Sequence, residues 1–170
     1  MEWSPLQTAR YSYEPKLPPA LKNSLTNITV ELGEATESAG DQSGLKQAFP
    51  LTYGAPVAHF TTTESPREIR PLKVGVVLSG GQAPGGHNVI VGLLDALKSA
   101  NAESHLYGFL GGPSGILEDR MIELTPKYVD GYRNTGGFDM IGSGRTKIET
   151  EEQFQTSLQI CRKHELDALV

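Results

Sequence analysis

The sequence predicts an α/β chain, a parallel sheet covered by helices on both faces, preceded by a loosely ordered extension. Three observations predict it. From Lys73 onward, short apolar runs alternate with stretches of helical periodicity, the texture of consecutive βα units. The first run, Val74, Val76, Val77 and Leu78, passes directly into a glycine-crowded turn and then a helix. Residues 1–70, by contrast, hold few periodic apolar positions. The expected division is therefore an extension over 1–70 and an α/β body over 71–170.

In the extension, Pro18-Pro19 opens a short helix through Leu21 and Leu25. The stretch ELGEATESAGDQSG, Glu31 to Gly44, mixes acidic, small and glycine residues as a linker does, and Phe49, Leu51, Tyr53 and Val57 offer apolar points for packing an arm onto the body. After the first strand of the body, Val89, Ile90, Leu93, Leu94 and Leu97 recur on one stripe of a helix over about 87–99. Residues 105–109 read as the second strand, GGPSGIL follows, and 121–124 read as a short extended piece. Thr125-Pro126 starts a short helix, with a capping residue before a proline at the first position. Asp139-Met140-Ile141 reads as a brief strand leading into the turn Gly142-Ser143-Gly144-Arg145. Thr150 with Gln153 makes a capping box for the last helix, whose buried face carries Phe154, Leu158 and Cys161. Asp167 to Val170 opens a buried strand shorter than the usual length, which reads as a piece of a longer chain.

The turn after the first strand holds Ser79, Gly80, Gly81, Pro84, Gly85 and Gly86. Amides at a helix start are unpaired and lie at the positive end of the macrodipole, and glycines let the chain approach an anion closely. Strand, turn and helix thus stand in the order of a phosphate cradle. No Gly-Lys-Ser/Thr follows, and the glycines do not fit G-x-G-x-x-G, so neither the nucleotide P-loop nor the dinucleotide fingerprint applies. GSGRTK, 142–147, is a second anion candidate, because glycines beside the Arg145 guanidinium and the Lys147 ammonium supply both backbone donors and charge. On composition alone a solvated basic turn describes it better. Right-handed crossovers bring all strand-to-helix loops to one sheet edge, where the glycine loop and Arg145 can meet.

Composition narrows the partners. A net charge of -5 over 170 residues argues against nucleic acid. No apolar run approaches the roughly 20 residues of a membrane span. MEWSPLQTAR lacks the basic start and apolar run of a secretory signal, and the single cysteine, Cys161, makes no internal disulfide. The reading is a cytoplasmic protein. His59, His87, His105 and His164 show no metal-ligand spacing and no Asp/Glu cluster forms a cage, so no metal residue is assigned and the histidines read as surface or capping groups. Cys161, on an apolar helix face, reads as core.

SGGQAPGGHN resembles the first phosphate-binding loop of the phosphofructokinases. Gln82, where the ATP-using members carry Asp, and Gly86-His87-Asn88 look like the long, pyrophosphate-dependent branch, the plant beta-subunit type. The likeness continues through YGFLGGPSGIL and YRNTGGFDMIGSGRTKIET to Val170. It implies a Rossmann-like three-layer phosphofructokinase fold, incomplete here, and phosphoryl transfer from pyrophosphate to the 1-hydroxyl of fructose 6-phosphate, with Mg2+ required. It implies that the amide of Gly81, with Gly80, touches the donor, that Arg145 and less directly Lys147 reach donor phosphates, and that Gly111 to Gly115 builds the cleft. Arg133 and Asn134 are expected to brace the site. The catalytic carboxylate, the magnesium Asp and the sugar-phosphate residues are expected past Val170, so residues 1–170 alone are expected to show no turnover. The family forms homo-oligomers, or hetero-oligomers in plants. An ATP-dependent phosphofructokinase, a non-catalytic regulatory subunit and a general dinucleotide module remain as alternatives.

Overall fold

The computed structural model describes residues 3–81 and 83–170. Pro5–Tyr11 forms α1, whose N-cap Ser4 and Gln7 close a capping box, pairing two groups that a helix start otherwise leaves open. The residues up to Pro15 cluster with Ile69–Val170 as one compact unit, and Lys16–Glu68 forms another.

Lys16–Glu68 holds more regular structure than a loosely ordered arm. Single 3-10 turns at Pro19–Lys22 and Leu25–Asn27 replace the helix expected after Pro18-Pro19. Then come β1 (Ile28–Ala35), α2 (Gln42–Ala48) and β2 (Pro56–Thr62). β1 and β2 pair antiparallel, with Val30 opposite Phe60 and Glu31 opposite His59. The expected linker therefore begins inside a strand, where the Thr61 hydroxyl donates to the Glu31 carboxylate at 3.1 Å. The strand escaped notice because Val30, Leu32 and Phe60 stay 48%, 68% and 66% exposed. Without a buried face, nothing imposes the alternation that announces a strand.

The other unit is built on a sheet of β3 (Lys73–Val76), β4 (His105–Phe109), β5 (Met121–Glu123) and β6 (Ala168–Leu169), in the order β5-β4-β3-β6. β3 pairs parallel with both β4 and β6, whereas β5 runs antiparallel to β4. The sheet is thus mixed, not purely parallel, because the connection from β4 to β5 is too short for a crossover: it spans only α4 (Pro113–Leu117). From β3 the chain goes through α3 (Gly86–Ala100) to β4 on one side, and β6 is reached on the other side through α5 (Pro126–Val129) and α6 (Glu151–Lys163). Right-handed crossovers in opposite directions put helices on both faces, with α3 touching α5 and α4 touching α6. The carboxyl end of β3 is consequently the switch point of the sheet, the place where open α/β folds bind ligands.

The core joins Val74 and Val76 of β3, Leu106 of β4 and the α3 stripe Ile90, Val91, Leu94 and Leu97, with Leu124, Val129, Met140 and Ile141. Two expectations need correction. Asp139-Met140-Ile141 is not a strand: Met140 and Ile141 are 3% exposed each, but they sit in a turn held by side chains instead of a ladder. On α6, Phe154 and Leu158 are 53% and 42% exposed. The helix packs against the five-residue α4 beside a two-residue edge strand, which leaves its first turns little to cover. Its capping box at Thr150 forms as expected.

Leu94, 2% exposed, is central to the contact between α3 and the sheet. Leu94→Ala removes buried methyl groups and leaves a cavity, and is expected to lower stability by about 2–5 kcal/mol, read as an earlier denaturant midpoint with an unchanged slope.

Candidate functional site

The loop that leaves β3 is fastened by backbone alone. Ser79 forms a parallel bridge with Gly144, the Gly80 amide donates to Gly144 O at 2.8 Å, and the Gly144 amide donates to Leu78 O at 3.3 Å. Two segments more than sixty residues apart in sequence are thereby laid side by side. They enclose an open pocket of about 710 Å³ lined by Gly80, Gly81, Phe138, Asp139, Gly142, Ser143, Gly144 and Arg145.

Close backbone approach explains the glycines. A Cβ on Gly144 would lie 2.3 Å from Gly111 O, and one on Gly112, where φ is +80°, would lie 2.3 Å from Gly144 N. No side chain fits between those strands of main chain. The segment Gly111-Gly112 is therefore the wall behind the pocket. A Cβ on Gly81 would come within 2.9 Å of Arg145 Nη2, which places the guanidinium directly over the loop.

Arg145 is exposed and has no ion pair or hydrogen bond among the described residues. The Gly81 amide likewise has no partner among the described residues. An unpaired guanidinium and an unpaired N–H on residues that line one pocket are the kinds of group an oxyanion takes. The Gly80 amide, expected to act beside that of Gly81, is spent on Gly144, so Gly80 supplies the turn. The start of α3 also differs from the expected cradle. The Gly85 amide donates to Gly136 O at 2.5 Å and the His87 amide to Gly137 O at 2.7 Å, so these amides are turned toward the 132–140 segment and not to an incoming anion.

Lys147 lies outside the pocket lining and pairs with Glu149 at 3.1 Å. Arg133 is held by Asp95 at 2.7 and 3.1 Å and by Asp130 at 3.0 Å, and the hydrogen bonds it donates to Asp95 raise its already high pKa. Asn134, at φ 57°, donates to Arg10 O and Tyr13 O at 2.9 Å each. Gln82, on which the pyrophosphate likeness leaned, lies outside the described residues. Phe138 and Asp139 line the pocket and were not singled out from sequence, because neither glycine spacing nor charge runs mark them.

His87 was read as a surface or capping group, yet it is 2% exposed. Its Nε2 accepts from the Met140 amide at 2.9 Å. Its Nδ1 lies 2.5 Å from Thr135 Oγ1, and that hydroxyl already donates to Tyr132 O at 2.6 Å. The hydroxyl must then accept, so the ring is neutral with its proton on Nδ1. Burial lowers the pKa of His87, outweighing the Asp139 carboxylate that lies 3.0 Å from Nε2 and pulls it up. Burial also raises the pKa of Cys161, which keeps it a thiol. Among the described residues no group of three or more His, Cys, Asp or Glu side chains is placed to hold a metal ion. Asp139 is the pocket's single carboxylate, so the described residues do not form a magnesium seat.

Parallel strands whose loops converge at a switch point on an open guanidinium define an α/β fold with a candidate anion pocket. The Phosphofructokinase family model matches residues 73–170, and the chain belongs to that family. It is 50% identical to the pyrophosphate--fructose 6-phosphate 1-phosphotransferase of Porphyromonas gingivalis over 170 residues, covering 100% of this chain and 30% of the relative. In Arabidopsis thaliana, subunits alpha 1 and beta 1 of the enzyme of that name are 44% and 45% identical, each match covering 99% of this chain and 29% of the relative. The chain thus spans about 30% of the length of these relatives. Among solved structures, phosphofructokinase from Saccharomyces cerevisiae superposes with a TM-score of 0.51 at 24% identity, over 58% of this chain and 13% of that one, which supports the fold.

The lowered pKa of His87 gives a pH dependence with a definite sign. Because the unfolded ring takes a proton near the ordinary 6.5 and the folded ring resists it, the unfolded state binds more protons as the pH falls. The contribution of His87 is therefore fully present above the unfolded pKa and lost as the pH drops below it. Thermal melts between pH 8 and pH 5 are expected to lose stability on the acid side, with a shallower loss in His87→Gln.

Proposed function

We propose that this chain supplies the phosphoryl-donor pocket of a pyrophosphate-dependent 6-phosphofructokinase, which transfers a phosphoryl group to the 1-hydroxyl of fructose 6-phosphate and yields fructose 1,6-bisphosphate. One observation carries the reading. Gly81 and Arg145, whose amide and guanidinium have no partners among the described residues, lie side by side in the lining of a single pocket at the switch point of the sheet. Arg145 brings a fixed charge and a planar set of donors, and Gly81 leaves room for the guanidinium that a larger residue would displace. Gly80, through its bond to Gly144, holds Gly81 at the rim.

Phosphoryl transfer places little covalent work on the protein, so positioning and neutralisation of the donor's charge account for most of what such a pocket does. Arg145 would draw charge off the donor as the bond to the leaving phosphate breaks. Lys147, paired to Glu149, contributes only if that exposed ion pair opens, a small cost for a surface pair. Mg2+ belongs to this reading as the counter-ion of the donor. No described residues group to hold it, and no step is derived through it. Pyrophosphate is favoured over ATP because the likeness to relatives bearing the pyrophosphate name extends over the whole chain, the 1–72 region included. The same names, with their alpha and beta subunits, support an oligomeric enzyme, homomeric or heteromeric. A cytoplasmic place in glycolysis completes the proposal.

Calorimetry on the full chain tests it. Saturable binding of pyrophosphate is expected, with ATP weaker. Arg145→Met is expected to weaken pyrophosphate binding by about tenfold or more, the loss of a charged hydrogen-bond donor, with an unchanged melting temperature. Equal affinity of the wild type and Arg145→Met would remove the pocket from the reading, and tighter ATP binding would turn it toward the nucleotide.

A further inference from the structure

Between the start of α3 and the pocket lies a buried device that the binding groups themselves do not explain. His87 grips the 132–140 segment at both ends. Its Nδ1–H is given to Thr135, before Phe138 and Asp139, and its Nε2 receives the Met140 amide, after them. The ring packs edge-on against Tyr132, 4.9 Å between centroids. The Met140 peptide is held on its other side too, because Tyr128 Oη donates to Met140 O at 3.0 Å.

From Met140 the chain runs to the anion groups with little slack. The carbonyl of Ile141 accepts from the Gly111 amide at 2.8 Å, and Gly144 is bonded to Leu78 and Gly80. Arg145 is the next residue. A shift at Met140 therefore reaches Phe138 and Asp139 on one side and Gly142 to Arg145 on the other, the whole wall facing Gly81.

Resting on the function proposed above, we propose that His87 is a positioning residue of the pyrophosphate pocket: through the Met140 amide, its neutral ring fixes the wall that carries Arg145 opposite Gly81. The Nε2 arm does the positioning and the Nδ1 arm fixes the tautomer. A ring whose proton is held on Nδ1 by Thr135 must present a bare Nε2 to Met140. The Asp139 carboxylate also faces Nε2, and together with the Tyr132 phenol it is the titratable group packed against the ring. A second proton would turn Nε2 from acceptor into donor, release the Met140 amide and draw Asp139 in. The wall is set correctly only while the ring is neutral.

Two variants separate the arms. In His87→Gln the side-chain oxygen can reach the place of Nε2 and accept from Met140. In His87→Asn the shorter amide can stand in for Nδ1–H toward Thr135 but leaves the buried Met140 N–H without an acceptor, which is costly. In calorimetry on the full chain, His87→Asn is expected to raise the Kd for pyrophosphate by about tenfold, the scale of a misplaced positioning group, and His87→Gln by no more than about threefold. Hydrogen exchange read by mass spectrometry, without any ligand, is expected to show faster exchange across 138–145 in His87→Asn and wild-type exchange in His87→Gln. If the two variants match each other in both measurements, or if pyrophosphate affinity falls without faster exchange across 138–145, His87 is only a packing residue and the inference fails. If the wild type does not bind pyrophosphate, the function proposed above fails by itself, and the exchange rates still decide whether His87 holds the wall.

Discussion

The structure depends on one short piece of main-chain pairing, the bridge between Ser79 and Gly144 with its bonds from Gly80 to Gly144 and from Gly144 to Leu78. It is a continuation of sheet pairing beyond the end of β3, made by a segment that belongs to no strand. Because it uses only backbone, it holds two loops in register without consuming the side chains or the Gly81 amide that an anion would use. It also dictates the glycines around it: Gly112 and Gly144 touch main chain to main chain at distances no Cβ permits.

The closure of the α3 start changes how charge is presented. A helix N-terminus attracts anions through several amides and a macrodipole of about half a charge. Here the amides of Gly85 and His87 are already bonded to Gly136 and Gly137, which leaves fewer free amides at this helix start and gives more weight to the whole charge of Arg145. A guanidinium on a flexible stem is screened by salt where it is exposed, but it can follow the donor as charge moves between phosphates. In a chain of net charge -5, a local unpaired cation of this kind is the feature on which the proposed polyanion site depends.

The α3 stripe, the β4 strand, the proline-led α5 and the capping box of α6 were legible because each has a local cause: periodicity, an apolar and aromatic run, or a cap. The meeting of Gly81 and Arg145 was legible through topology, since crossovers of one hand bring the loops to one edge. What escaped was nonlocal or unpatterned. β1 shows no buried face, so its alternation is weak. The antiparallel β5 follows from a connection whose length matters more than its residues. Met140 and Ile141 are buried like a strand, but Met140 is held by the His87 ring and the Tyr128 hydroxyl, partners 53 and 12 residues distant. Single-sequence reading gave His87 no role because a histidine's meaning lies in what its two nitrogens meet, and both partners are in another segment.

That same ring explains why the segment from Tyr132 to Ile141 can be irregular and still exact in position. An irregular stretch near a pocket loses backbone entropy without a ladder to compensate, so its peptides must be fixed one at a time. Thr135 and Met140 take the two nitrogens of one imidazole, Gly136 and Gly137 take the first amides of α3, and Tyr128 takes the Met140 carbonyl. Two amides at the start of α3, those of Gly85 and His87, are used to build the wall, and the wall in turn carries Arg145, so the buried histidine ties the helix start to the guanidinium.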